Sequence, residues 1–182
     1  MSEEFRSESL PVLIRALEFA SRKHSTQRRK DHDASPYINH PISLISILAV
    51  ETGIHDGDVL CAALLHDTIE DTDTTRTELE RHFGEKIAAI VGEVTDDKML
   101  PKHERKQLQV DHAHALGRAA GLVKLADKIA NLRDMSDNPP RGWDLQRRQE
   151  YFDWAKQVVE NIADPPPWLR RLFDAAYARR PR

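Results

Sequence analysis

The sequence predicts an all-α fold, on three observations. Apolar residues return every three or four positions along most of the chain, alternating strand patterns are almost absent, and helix caps and breakers separate the apolar segments. The expectation is a helical bundle of about eight to ten helices, forming one domain over residues 1–182. A short hairpin near Arg28 to Tyr37 is left open.

The first helix, from Leu10 to about Lys23, follows from Leu10, Leu13, Ile14, Leu17 and Ala20, with Ser9 as its cap and Pro11 in the first turn. His24 to Tyr37 has no helical period and is dense in charge, so it reads as a loop. His40-Pro41 opens a second helix through about Glu51, with Ile42, Ile45 and Leu48-Ala49 inward. Proline favours a helix start and keeps the residue before it out of the helical region, which places His40 at the helix mouth. Gly53 ends that helix, and Asp56 caps the next, which runs to Leu64-Leu65-His66-Asp67.

Thr75-Arg76-Thr77-Glu78 has the capping-box pattern ahead of Leu79 and Phe83. Gly84 breaks the helix there, and Glu85 to Thr95 continues with Ile87, Ile90, Val91 and Val94. A charged helix spans Lys102 to about Leu116, and another spans Gly121 to Met135. Asp144 to Ile162 carries Leu145, Phe152, Val159 and Ile162 on one face. After Asp164-Pro165-Pro166-Pro167, a last helix holds Trp168, Leu169, Leu172, Phe173 and Ala176.

Composition narrows the classes. With 40% hydrophobic and 31% charged residues the chain reads as soluble and globular. A net charge of −3, from 27 basic and 30 acidic residues, excludes a broadly basic nucleic-acid binder but not a binder of small anions. The single cysteine, Cys61, allows no internal disulfide, lies in an apolar run and reads as core; the cytoplasm is the expected setting. Met1 to Leu10 is too polar for a signal peptide, and no apolar stretch approaches the roughly 18 residues of a membrane span.

The stretch Ala62-Ala63-Leu64-Leu65-His66-Asp67-Thr68-Ile69-Glu70-Asp71-Thr72 delivers a histidine and an aspartate out of an apolar run, with two more acids one helical turn later. Buried carboxylates are costly unless paired, hydrogen-bonded or bound to metal. Adjacent helix positions point about 100° apart, so His66 and Asp67 share a ligand most easily where a helix ends. In Leu122-Val123-Lys124-Leu125-Ala126-Asp127-Lys128-Ile129-Ala130-Asn131-Leu132, Asp127 and Asn131 share a face of a strongly apolar helix. With His40, the set is two imidazoles and two carboxylates, suited to a divalent first-row metal, Zn²⁺ and Fe²⁺ included.

The order His…His-Asp…Asp resembles the HD phosphohydrolase superfamily, an all-helical domain holding a divalent metal at those positions. Five motifs sharpen the resemblance: Gln27-Arg28-Arg29-Lys30, Pro36-Tyr37-Ile38-Asn39-His40-Pro41, His66 to Thr72, Val94-Thr95-Asp96-Asp97-Lys98, and Lys124 to Leu132. Together they are similar to the hydrolase domain of RelA/SpoT proteins, and most of all to the small stand-alone members of the metazoan SpoT homologue type. The resemblance implies Mn²⁺-dependent hydrolysis of the 3′-pyrophosphate of ppGpp and pppGpp, giving GDP or GTP and pyrophosphate. By position it implies His40, His66, Asp67 and Asp127 as metal ligands and Glu70 and Asp71 as the residues that activate or place water. Arg29, Lys30 and Asn131 would border the substrate, and Lys102, Arg147 and Tyr151 would line the nucleotide pocket.

NADPH 2′-phosphatase activity and a non-catalytic alarmone-binding module are the alternatives. The expected partner is a small nucleotide, with no nucleic acid and no membrane, and degradation without synthesis is expected because the chain has no room for a synthetase domain. Two departures stand out: Asp33-Ala34-Ser35 replaces a loop that in many relatives has a glycine, and His112 to Gly121 differs. His24, His32, His55, His82, His103, His112 and His114 read as surface residues, and Lys124 and Lys128 as surface or supporting charges.

Overall fold

The computed structural model describes residues 3–182, with side chains described from Leu10 onward. The helices are α1 (Glu3–Lys23), α2 (Asn39–Ile45), α3 (Gly57–Leu65), α4 (Thr68–Asp71), α5 (Arg76–Phe83), α6 (Glu85–Val94), α7 (Lys102–His112), α8 (Arg118–Asp137), α9 (Leu145–Asn161) and α10 (Pro167–Tyr177). A π-helical segment, Ser46–Glu51, extends α2, and a 3-10 turn, Ala113–Ala115, extends α7. No strand occurs among the described residues, and no described helix is long and apolar enough to cross a membrane.

Two helices form the centre. Every residue of α3 from Val59 to Leu65 is buried, so this helix has no solvent face and shows as a continuous apolar run. It packs against α1, α2, α6 and α8. The longer α8 is buried over most of its length and touches α2, α3, α6, α9 and α10. The His-Asp pair at the end of α3 and Asp127 in the middle of α8 are thereby carried into the interior.

Local chemistry sets the boundaries. Asp56 accepts from the backbone N–H of Asp58 (2.9 Å) and Val59 (3.3 Å), and Asp144 from that of Arg147 (2.8 Å). Thr75 accepts from Glu78 N–H at 3.1 Å, but the capping box stays half closed, because the Glu78 carboxylate pairs with Lys23 at 3.2 Å instead. Gly84, at φ +87°, turns the chain between α5 and α6 in a conformation that favours glycine.

Several expectations shift. Helix α1 starts at Glu3, so Ser9 is a helical residue and Pro11 lies inside the helix. Its buried stripe is Ala16, Phe19 and Ala20, whose small alanines allow close approach to α3, while Leu10 and Ile14 are exposed. In α2 the inward face is His40, Pro41 and Leu44, which turns Ile42 outward. Leu145 and Trp168 stand exposed in the first turns of their helices. The hairpin left open by the sequence is a single antiparallel bridge, Arg28 to Pro36, with Arg29 N–H donating to Ser35 O at 2.8 Å. At its tip Ala34 takes φ +49°, and Asp31 braces the turn by accepting from Ser35 N–H (3.0 Å) and Oγ (2.5 Å).

Phe152 of α9 is fully buried and is among the largest such side chains. Phe152→Ala should lower stability by about 3–5 kcal/mol, read as a shift in the urea unfolding midpoint at unchanged slope.

Candidate active site

The break between α3 and α4 builds the site. Helix α3 stops at Leu65, and Asp67 takes φ −98°, ψ 0° before α4 restarts at Thr68. His66 Nδ1 lies 2.9 Å from Ala63 O and Thr68 Oγ1 donates to Leu65 O at 2.7 Å, occupying carbonyls that the interrupted helix would otherwise leave bare. The kink lets neighbouring side chains converge: His66 Nε2 is 2.9 Å from Asp67 Oδ2. His40, in the first turn of α2, brings Nε2 to 3.1 Å from Asp127 Oδ1, and His66 Nε2 is 4.0 Å from the same oxygen.

The proton arrangement of this cluster points to a cation. The Ala63 carbonyl takes the Nδ1 proton of His66, so Nε2 faces two carboxylates and positive charge is favoured there, as a proton or as a metal ion. That nitrogen is buried and makes no hydrogen bond, despite its closeness to Asp67. Ligand atoms of His40, His66 and Asp67 all lie within 4.8 Å of one another. Burial disfavours charge on His66, but Asp67 beside it prevails and raises the ring to about 8. Burial also dominates at His40, which is held below the usual imidazole value. At Asp67 burial is outweighed by His66 and His40, and at Asp127 by Lys128 and His40, so both carboxyls stay below the usual carboxylate range. Two carboxylates facing two imidazoles fit a divalent ion.

Other side chains hold these carboxylates. Asp127 accepts from Asn131 Nδ2 on Oδ1 at 2.5 Å and from Lys128 Nζ on Oδ2 at 3.1 Å. The Tyr37 hydroxyl donates to Asp67. One turn on, α4 presents Glu70 and Asp71. Glu70 Oε1 lies 3.3 Å from Arg105 Nη1, and Oε2 accepts from Asp96 N–H at 3.3 Å. Burial, with Asp67, Asp96 and Asp71 adding to it, pushes Glu70 up to about 7. Asp71 accepts from Gln27 Nε2 at 3.1 Å and pairs with Lys98.

A cavity of about 320 Å³ contains this chemistry and adjoins a larger one of about 660 Å³. The smaller is lined by His40, His66, Asp67, Asp127, Glu70, Asp71, Arg29, Lys30, Asn131 and Tyr151. Lys102 lines only the larger, beside Trp143. Arg147 lines neither; its guanidinium stands 4.2 Å from the centre of the Trp143 ring. Arg29 is tied to Asp134 at 2.5 Å and Asn131 at 3.3 Å.

Sequence reasoning missed several participants. His24 is buried, not at the surface. Of the two lysines read as surface or supporting charges, both are buried and Lys128 supports Asp127: Lys124 Nζ donates to Val94 O at 2.9 Å and Lys128 Nζ to Gln109 Oε1 at 2.9 Å. Their signal was present in the apolar surroundings on every side of α8. Tyr37, Gln27 and Asp96 were visible only as parts of longer motifs, and Arg105 only as one charge of the helix beginning at Lys102. Cys61 is buried, and burial pushes its thiol up to about 11, which fits a core role.

Residues 16–153 match the HD domain family. The chain belongs to the HD-domain family. Among HD proteins it is 58% identical over 150 residues to a Homo sapiens protein named guanosine-3′,5′-bis(diphosphate) 3′-pyrophosphohydrolase MESH1, covering 82% of this chain and 84% of that one. The Mus musculus protein of the same name is 57% identical over 168 residues, covering 92% and 94%. A solved HD structure, described as a metazoan ortholog of SpoT that hydrolyzes ppGpp, superimposes with a TM-score of 0.90 at 46% identity, covering 93% of this chain and 95% of that one. The chain is an HD-domain phosphohydrolase of the metazoan SpoT homologue type.

A divalent cation held by His40, His66, Asp67 and Asp127 should stabilise the fold; at about 100 times its Kd the gain is about 2.7 kcal/mol. Thermal unfolding of the chelator-treated protein should shift upward on adding Mn²⁺, and His66→Ala or Asp127→Ala should remove the shift. Absence of a shift in the unsubstituted protein with Mn²⁺, Zn²⁺ or Fe²⁺ would exclude a metal centre.

Proposed function

We infer that the chain is a guanosine-3′,5′-bis(diphosphate) 3′-pyrophosphohydrolase, converting ppGpp and pppGpp to GDP or GTP with release of pyrophosphate. One observation carries this reading. The metal-ligand set and the Glu70-Asp71 pair line one cavity with Arg29 and Lys30, in a chain 58% identical to a relative of that name. Mn²⁺ is our proposal for the metal, and the cytoplasm for its setting.

The reaction breaks the bond between the ribose 3′-oxygen and phosphorus and joins a water oxygen to that phosphorus. A bound divalent ion supplies polarisation of a phosphoryl oxygen and a lowered pKa for water. The chain's own residues do the rest. Glu70, with a value near neutrality, accepts the water proton, and the leaving 3′-oxygen ends as a hydroxyl. Arg105 and the Asp96 amide hold the Glu70 carboxylate for that exchange. Asp71, fixed by Gln27 and Lys98, orients the water. Arg29 grips phosphate oxygens through its planar fork, and Lys30 offers a point charge. Lys102 and Tyr151 border the larger cavity, which takes the nucleoside and its 5′-diphosphate. Arg147, over the Trp143 ring and outside both cavities, is given no role in the reaction.

Incubation with ppGpp and Mn²⁺ should yield GDP and pyrophosphate, resolved by ion-exchange chromatography. Asp67→Ala and Asp127→Ala should be nearly inactive, and Glu70→Gln should lower kcat by about 10² to 10⁴. NADPH run in parallel separates the alternative: orthophosphate and NADH, with ppGpp left intact, would make the protein a 2′-phosphatase. Binding of ppGpp without turnover would make it a non-catalytic module.

A further inference from the structure

His24 follows the last residue of α1 and is 2% exposed, yet it lines neither cavity. Its ring packs against Tyr37, with centroids 4.8 Å apart and planes 36° apart. Nδ1 lies 2.6 Å from Gln27 Oε1, and Nε2 is buried with no partner. At its other end the Gln27 amide donates from Nε2 to Asp71 Oδ2 at 3.1 Å.

The direction of this chain follows from its last member. A carboxylate only accepts hydrogen bonds, so Gln27 turns its NH₂ towards Asp71 and its oxygen towards His24. An amide oxygen also only accepts, so His24 donates from Nδ1. Simple filling of space is better served by an apolar ring, which leaves no nitrogen orphaned in the interior. The orphaned Nε2 is therefore the cost of the donor at Nδ1. That donor fixes an amide, and the amide fixes an acid that faces the reacting cavity.

We propose that His24 is a positioning residue, which holds Asp71 in its working orientation through the hydrogen-bonded chain His24 Nδ1–Gln27–Asp71 Oδ2. The tilted packing against Tyr37 braces the ring with Nδ1 facing Gln27. The kinetic part of the proposal rests on the alarmone-hydrolase reading; the direction of the chain does not.

Two measurements test it. Long-range ¹H–¹⁵N correlation spectra of the chain report the tautomer of His24 whether or not the protein turns over ppGpp. The Nδ1–H form is expected, and an Nε2–H form would overturn the proposal. In turnover of ppGpp with Mn²⁺, His24→Phe should lower kcat about tenfold, with KM within about twofold, because the acid is displaced and not removed. His24→Asn carries an amide N–H near the position of Nδ1 and should restore most of the loss. Equal kcat for His24→Phe and the unsubstituted chain, or His24→Asn as poor as His24→Phe, would sink it.

Gln27→Leu provides a variant at a loop position should His24→Phe not fold, and the same tenfold fall in kcat is expected. Combined with Gln27→Leu, His24→Phe should add less than about threefold, since both cut one chain; a full multiplication of the two losses would overturn the proposal. Failure of the unsubstituted chain to release pyrophosphate, with the Nδ1–H tautomer present, would remove the alarmone-hydrolase reading and leave the chain of hydrogen bonds standing.

Discussion

Burying two carboxylates against two imidazoles, each carboxylate within about 3 Å of one ring, costs free energy that only opposite charge or well-placed donors recover. Much of this fold can be read as a response to that cost. Helix α3 is apolar on all sides because it must reach the centre of the bundle before it releases His66 and Asp67. It then breaks, because two adjacent side chains cannot face one point from a continuous helix. Asn131, Lys128 and Tyr37 supply the donors that let the carboxylates stay charged in the interior.

The chain as a whole is mildly acidic, but its interior is arranged differently. Lys124 and Lys128 point inward from α8, towards Val94 O and towards Asp127 and Gln109. Lys128 also lies over the Trp154 ring at 4.2 Å, so its ammonium is fully surrounded by a carboxylate, an amide oxygen and a π face. Lys128 offsets the acids of the site, which include Glu70 and Asp96 besides Asp67 and Asp127, while burial holds Lys124 below the usual lysine value. A site made only of acids would repel the phosphates that the surrounding cations attract.

The cluster of His40, His66, Asp67 and Asp127 was legible because each member sits in a contrasting context: His40 before a proline, His66-Asp67 after an apolar run, Asp127 within one. Asp56, Thr75 and Gly84 were legible because caps and turns act over a few neighbouring residues. His24 was not, because its burial rests on contact with Tyr37, 13 positions away in the chain. The inward turn of Lys128 depends on Gln109 and Trp154, 19 and 26 positions away in the chain, which no local pattern encodes. The α1 stripe was misread for a related reason. Which side of a helix is covered is decided by its partner, and the small residues Ala16 and Ala20 face α3 while larger Leu10 and Ile14 do not.

The ion pair between Arg29 and Asp134 bears on which anions the cleft accepts. An incoming ligand does not meet a free guanidinium; it meets one already neutralised by a carboxylate and steadied by Asn131. Binding is thus an exchange of partners, and its driving force is the difference between two negative groups competing for one cation. A singly charged ligand gains little by that exchange, whereas a diphosphate brings more charge and a matching geometry. The cleft therefore sorts anions by charge density before any bond is broken.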